Sequence, residues 1–183
     1  GTVGLLPAFK SVKGCKVVAV CRKRSDWRSL LDRKDIHAVA IAVPPRAQYE
    51  IAKVAIKKGL HIFAEKPLAA NTRQAAELYE LARKKHITHC VDFIFPEIAE
   101  WKKVKKLLES KKFGSLKHVS VDWNWQSHDI RLKRWSWRTK INEGGGALSF
   151  YFSHGLYYLE HFAGKFIDAE TLFEHAPLNP NDG

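Results

Sequence analysis

The spacing of apolar positions changes character along the chain, and each change marks an element. Six apolar residues in a row, AVAIAV at 38–43, stop at Pro44-Pro45, the pattern of a strand covered on both faces within a parallel sheet. Ile51, Ala52, Val54, Ala55 and Ile56 then recur on one side of a predicted helix, with Lys53, Lys57 and Lys58 turned outward and Gly59 as its C-cap. A second short apolar run at 60–63 completes a strand–helix–strand unit. Strands joined by such a crossover run parallel, and ligands of these sheets sit beyond the carboxyl ends of the strands. Those ends are Pro44-Pro45 and Glu65-Lys66-Pro67.

The other segments are read against this unit. Residues 16–21 (KVVAVC) predict a second buried strand, and 26–31 a short helix with Trp27, Leu30 and Leu31 inward. Asn71 is placed as the N-cap of a helix whose apolar side is Ala75, Ala76, Leu78, Tyr79, Leu81 and Ala82, closed by the basic run 83–85. Residues 87–95 read as a further strand broken by Pro96, and 97–111 as a long amphipathic helix ended by Phe113-Gly114. From Leu116 to Trp125 polar and apolar residues alternate with period two, which predicts an antiparallel strand with one buried face. Gly144-Gly145-Gly146 leads into a helix carrying His154 and closed by Gly164, residues 167–173 predict a last strand, and 178–183 a loop.

Composition narrows the class. A chain of 183 residues with 45% hydrophobic content is long enough to bury a core. Cys15, Cys21 and Cys90 are odd in number and lack paired spacing, which argues against a disulfide framework or structural zinc. No apolar run reaches membrane-spanning length and no leader pattern opens the sequence, so a cytoplasmic protein without membrane contact is expected. The formal charge of +12 is spread over helix faces instead of being clustered. It is read as solvated surface, then as attraction for an anionic cofactor or substrate, with no nucleic-acid partner expected.

The string Gly59-x-His61-Ile62-Phe63-x-Glu65-Lys66-Pro67, after an apolar strand ending in Val43-Pro44, resembles the glucose-fructose oxidoreductase / inositol dehydrogenase / MocA family of nicotinamide-dependent oxidoreductases. The resemblance runs from residue 1 to about residue 164. It implies an α/β fold: a Rossmann-type parallel-sheet domain at 1–95, then an α+β domain with a mainly antiparallel sheet at 96–183, incomplete in this sequence. It also implies NAD or NADP as cofactor, a sugar, polyol or related hydroxy compound as substrate, no metal, and a homo-oligomer formed through the C-terminal sheet.

Residue by residue, Gly1 and Gly4 match the last two glycines of a G-x-G-x-x-G fingerprint, for which an ordinary glycine turn is the competing reading. Arg22, just past a strand end, suits a 2′-phosphate and leans the cofactor towards NADP, against the alternative of a solvated basic turn. Val43, Pro44, Glu65 and Lys66 fall at strand ends, where the resemblance implies contacts to the cofactor. The resemblance makes Lys66 and His154 the catalytic pair: Lys66 polarises the substrate oxygen and His154 moves the hydroxyl proton. An exposed Glu65–Lys66 ion pair and a structural His154 are the bland alternatives. Trp137 and Arg138 join Lys66 and His154 as candidate substrate contacts, with packing tryptophans as the other reading. The triple glycine is expected to let the backbone approach cofactor or substrate. The family commonly carries an aspartate four residues before the histidine, where this chain has Phe150, so a catalytically silent dinucleotide-binding regulatory or scaffold protein stands as the second reading. The sequence contains no methionine; a start within a glycine-rich loop and breaks near residues 4–7 and 23–25 are expected, as are further strands after 183 or strands supplied by a partner.

Overall fold

The computed structural model describes residues 4–21 and 27–172. Its centre is a three-stranded sheet of Ala38–Ile41 (β1), His61–Ala64 (β2) and His89–Val91 (β3), in the order β1-β2-β3. Both pairs are parallel, with Ala38 opposite His61 and Ile62 opposite His89. After the short helices Leu5–Ser11 (α1) and Trp27–Leu31 (α2), the crossover from β1 to β2 is the helix Pro45–Lys57 (α3), and that from β2 to β3 is Thr72–Lys84 (α4). Proline suits the first turn of α3 because its missing N–H is one that the helix leaves unbonded anyway. Gly59 follows at φ +79°, the left-handed conformation that returns the chain to β2. Asn71 caps α4 by accepting from the Gln74 amide at 2.9 Å.

The helices pack on the sheet through small residues. Ala52 and Ala55 of α3 and Ala64 of β2 are buried, as are Ile41, Ile56, Ile62, Leu78 and Ala82. Alanines at the contact let the α3 axis lie close to the strands, and the isoleucines fill the space beside it. A fully buried isoleucine contributes about 1.5–3 kcal/mol.

Several expectations are corrected. Residues 16–21 were expected as a buried strand, yet among the described residues the sheet has only three strands and this segment is not one of them. An apolar run makes a strand only when a neighbour meets its backbone, and here a cavity separates it from β1. The alternation at 116–125 likewise forms no strand, and nearly all of it is exposed. A period-two pattern needs a ladder and a covering layer to become a sheet. No strand forms over 167–172 either, where Ile167 is fully exposed; Phe173 and 178–183 lie outside the described residues. The antiparallel sheet expected of the second half is therefore absent among the described residues. The helix expected at 97–111 is divided, because Ile98 adopts an extended conformation between a 3₁₀ turn at Phe95–Glu97 and the helix Ala99–Glu109 (α5). The strand expected at 87–95 shrinks to β3. No helix of the described residues is long and apolar enough to cross a membrane.

Candidate active site

The carboxyl edge of the sheet sets the position of the lysine. Glu65 donates its amide to the Ile41 carbonyl at 2.9 Å, and Asp92 donates to Ala64 at 2.8 Å. The chain thus leaves β2 wedged between the ends of β1 and β3, and the Lys66–Pro67 bond is cis. The Lys66 ammonium turns towards the π-helical turn Ala147–Phe152. There Nζ donates to the Phe150 carbonyl and stands 3.9 Å from the centre of the Phe150 ring. The Arg138 guanidinium lies 5.4 Å from the Trp137 ring and 5.5 Å from that of Phe150, and the two rings meet edge-to-face at 5.0 Å. Asp129, which accepts from Ser136 Oγ at 2.6 Å, also reaches Arg138 Nη1 at 3.3 Å.

Burial pulls Lys66 down to about 8; Glu65 opposes this and Arg138 adds to it. The Glu65 carboxyl is raised, by burial and then by the nearby Asp92. Asp92 is raised by burial. Burial strips water from the ammonium, so it holds its proton less firmly than a solvated lysine does even though the ring and the carbonyl favour its charge. It titrates close to the pH at which enzymes work.

Beyond the short helix His128–Arg131 (α6), His154 is the second residue of the helix Ser153–Ala163 (α7). Its ring is held edge-on by Phe93 at 5.7 Å and Phe95 at 5.0 Å, and Phe93 in turn stacks on Tyr157 at 4.3 Å. Burial lowers its imidazole to about 4, with the positive charge of Lys66 as a second cause. His154 is therefore neutral at physiological pH and able to accept a proton. Lys66 reaches the turn Ala147–Phe152, which runs directly into the helix that carries His154, so residues from opposite halves of the chain are brought to one edge of the sheet.

Two of the three consecutive glycines are required by packing within the chain itself. A side chain at Gly144, which sits at φ +88°, would stand 2.9 Å from Pro45 Cβ and from Ala70 Cα. One at Gly145 would stand 2.1 Å from the Trp137 carbonyl oxygen. The glycines let this loop pack on the start of α3 and on the Trp137–Arg138 backbone, which carries the Phe150–His154 segment to the sheet edge.

Gly1 and Arg22 lie outside the described residues. Gly4 precedes the helix Leu5–Ser11 (α1), with nothing within 4 Å of where a side chain would project. Val43 and Pro44 follow β1 and line a cavity of about 1100 Å³ together with Phe9, Val18 and Val39. Lys66 and His154 do not line it. Trp137, Arg138, Lys66 and Phe150 meet as described. The sequence assigns no role to Gln48, Asp92, Phe93 and Phe95. The two phenylalanines lie just past β3, with Phe95 opening the 3₁₀ turn, and their contribution shows only in their ring contacts with His154.

The profile of the oxidoreductase family with an NAD-binding Rossmann fold matches residues 7–93, and that of the GFO/IDH/MocA C-terminal domain matches 101–176. The chain belongs to the Gfo/Idh/MocA family. Among its relatives in that family, an uncharacterized oxidoreductase of Synechocystis sp. is 38% identical over 74% of this chain and 36% of its own length. The levoglucosan dehydrogenase of Pseudarthrobacter phenanthrenivorans is 31% identical over 78% of this chain and 37% of its own. A levoglucosan dehydrogenase structure in complex with NADH and levoglucosan superposes with a TM-score of 0.65 at 32% identity, covering 78% of this chain and 39% of that one. The chain thus spans well under half the length of these relatives.

Proposed function

We propose that the protein is a nicotinamide-dependent oxidoreductase acting on a CH–OH group of a sugar, polyol or related hydroxy compound. The observation that supports this reading is Lys66 at the carboxyl edge of a parallel sheet, its ammonium on the Phe150 carbonyl of the turn that leads into the His154 helix, with burial pulling the lysine to about 8 and the imidazole to about 4. Residues able to hold the dinucleotide fit it: Val43, Pro44 and Glu65 stand at the strand ends where such sheets bind nucleotides, and Gly4 leaves open space before α1. The dinucleotide supplies or takes up the hydride. In the direction of oxidation, neutral His154 accepts the hydroxyl proton, while charged Lys66 hydrogen-bonds the same oxygen as negative charge develops on it. In reduction the proton travels back from the histidine. Trp137 offers an apolar face and Arg138 a donor to the remainder of the substrate. Either NAD or NADP serves in this reading; Arg22, with Lys23, favours the phosphorylated form, whereas the levoglucosan dehydrogenase complexes contain NADH. The chain is read as a cofactor domain to about residue 95 followed by part of a substrate domain.

The second reading, a dinucleotide-binding protein without turnover, rests on Phe150, since the ring occupies the ground beside Lys66 where a carboxylate would pair with it. Turnover of the full-length protein decides between them. With either cofactor and a panel of sugars and polyols that includes levoglucosan, reduced nicotinamide is expected to accumulate, and Lys66→Ala and His154→Ala are each expected to slow it by about 10²–10⁴-fold. Turnover that neither change slows refutes the site; cofactor binding with no turnover on any substrate favours the silent reading.

A further inference from the structure

Gln48 is fully buried in the first turn of α3, one turn after the chain leaves β1. Its side chain does not serve the helix. Nε2 stands 2.5 Å from the Glu65 carbonyl, 3.1 Å from that of Pro67 and 3.2 Å from that of Leu68. Three acceptors around one atom identify that atom as the amide nitrogen, because the amide oxygen there would face three like dipoles. The carbonyls belong to residues on both sides of Lys66, so one amide gathers the turn that carries the lysine. The helix holds Gln48 in turn, through its own amide bonded to the Pro44 carbonyl at 2.9 Å. Three residues earlier on the same turn, Pro45 supports Gly144, from which the chain runs on to Phe150.

We infer that Gln48 is a positioning residue for Lys66: its amide fixes the Glu65–Leu68 backbone so that the lysine ammonium is delivered to the Phe150 carbonyl and ring. The inference rests on the reading of Lys66 as a catalytic group only for its effect on turnover; the placement of the ammonium is independent of that reading. Without the amide, the turn has buried carbonyls lacking their donor, and it must open towards water to satisfy them. Lys66 then gains solvent and leaves the aromatic face. A displacement on the order of 1 Å at a reacting group costs about 10²-fold in rate.

The test reads the lysine directly. In the full-length protein, lysines are reductively methylated with isotope-labelled formaldehyde, the Lys66 resonance is assigned by its loss in Lys66→Arg, and its titration is followed by NMR. Gln48→Met, which keeps the length and removes the donor, is expected to move the Lys66 midpoint up towards that of an ordinary lysine. Gln48→Asn, which keeps the amide but withdraws it by one methylene, is expected to do the same with less risk to the fold. Gln48→His, which restores a ring N–H, is expected to bring the midpoint back towards that of the parent. Circular dichroism checks that each variant retains its helices. An unmoved Lys66 midpoint in folded Gln48→Met or Gln48→Asn overturns the inference, as does a midpoint that Gln48→His displaces as far as Gln48→Met does. On turnover, Gln48→Asn is expected to lower kcat by about 10²-fold with dinucleotide Kd unchanged. A moved midpoint with unchanged kcat supports the positioning role and refutes the catalytic reading of Lys66 instead.

Discussion

Replacing Phe150 by aspartate sets two effects on Lys66 against each other. The ring centre is 3.9 Å from Nζ, so an aspartate carboxylate on the same backbone would stand roughly 4–5 Å from the ammonium. At an effective dielectric of about 20, a charge pair at that distance is worth about 3–4 kcal/mol. Lys66 is only half buried, and solvent screening reduces this to about 2 kcal/mol. Removing the aromatic face forfeits about 1 kcal/mol of cation–π attraction. The balance, about 1 kcal/mol in favour of the charged lysine, raises its pKa by somewhat under one unit. In the proposed mechanism a charged Lys66 and a neutral His154 are both needed, so kcat follows a bell with an alkaline limb near 8 and an acid limb near 4. In Phe150→Asp the alkaline limb moves up; in Phe150→Asn, which loses the ring and gains no charge, it moves down. The assay is initial-rate kinetics across pH with a saturating dinucleotide, with the Lys66 NMR titration as an activity-independent check. Opposite displacements by Asp and Asn are the signature of the argument. An alkaline limb that stays fixed in both, or moves the same way in both, refutes it.

Asn71→Ala removes the side-chain acceptor for the Gln74 amide and is expected to lower unfolding free energy by about 1 kcal/mol, read from urea denaturation. Gly145→Ala places a methyl group 2.1 Å from a backbone oxygen that no rotamer change can move aside; it is expected to cost more than Asn71→Ala and to displace the Trp137–Phe150 contact, visible as altered tryptophan fluorescence. His154 is held at about 4 in the folded protein against an ordinary 6.5, so the unfolded chain binds the proton more tightly over that window. Stability is therefore expected to fall as pH drops from 6.5 towards 4, and His154→Leu is expected to flatten that part of the urea-midpoint profile.

The strand–helix–strand unit was readable because its signals agree: a continuous apolar run, a proline at the helix start, a single apolar helix face and a glycine at its end all describe the same backbone. Lys66 followed from its place at the end of β2, which topology alone connects with ligand binding. What escaped reading depends on partners far away in sequence. The runs at 16–21 and 116–125 have strand composition, but a strand exists only through its ladder, and periodicity does not say whether a neighbour is there. Gln48 looks like an ordinary polar helix residue; its meaning is a set of three carbonyls from a turn on the far side of the crossover. The triple glycine announced close approach correctly but not to what. The partner is the chain's own backbone at Trp137, Arg138 and Ala70.

The two candidate catalytic groups stand on supports of unequal strength. Among the described residues, the buried aliphatic and aromatic side chains other than Pro96 fall between Leu31 and Ile87, so Lys66, at the end of the central strand, belongs to the better-buried part of the molecule. His154 is carried by α7, whose contacts with the first half run through half-exposed rings: Phe93 and Phe95 against His154, with Phe95, Trp101, Tyr158 and Phe162 in a chain behind them. Ring pairs of this kind are each worth about 0.5–1.5 kcal/mol, less than a fully buried side chain. The register of the histidine against the lysine therefore depends on the few contacts that tie the second half to the sheet edge: Lys66 on the Phe150 carbonyl, Gly144 on Pro45 and Ala70, and the ring chain beyond β3. Two of these three start from the Lys66 turn or from the first turn of α3. A change there loosens both catalytic groups at once, whereas a change in the ring chain releases the histidine and leaves the lysine where the sheet put it.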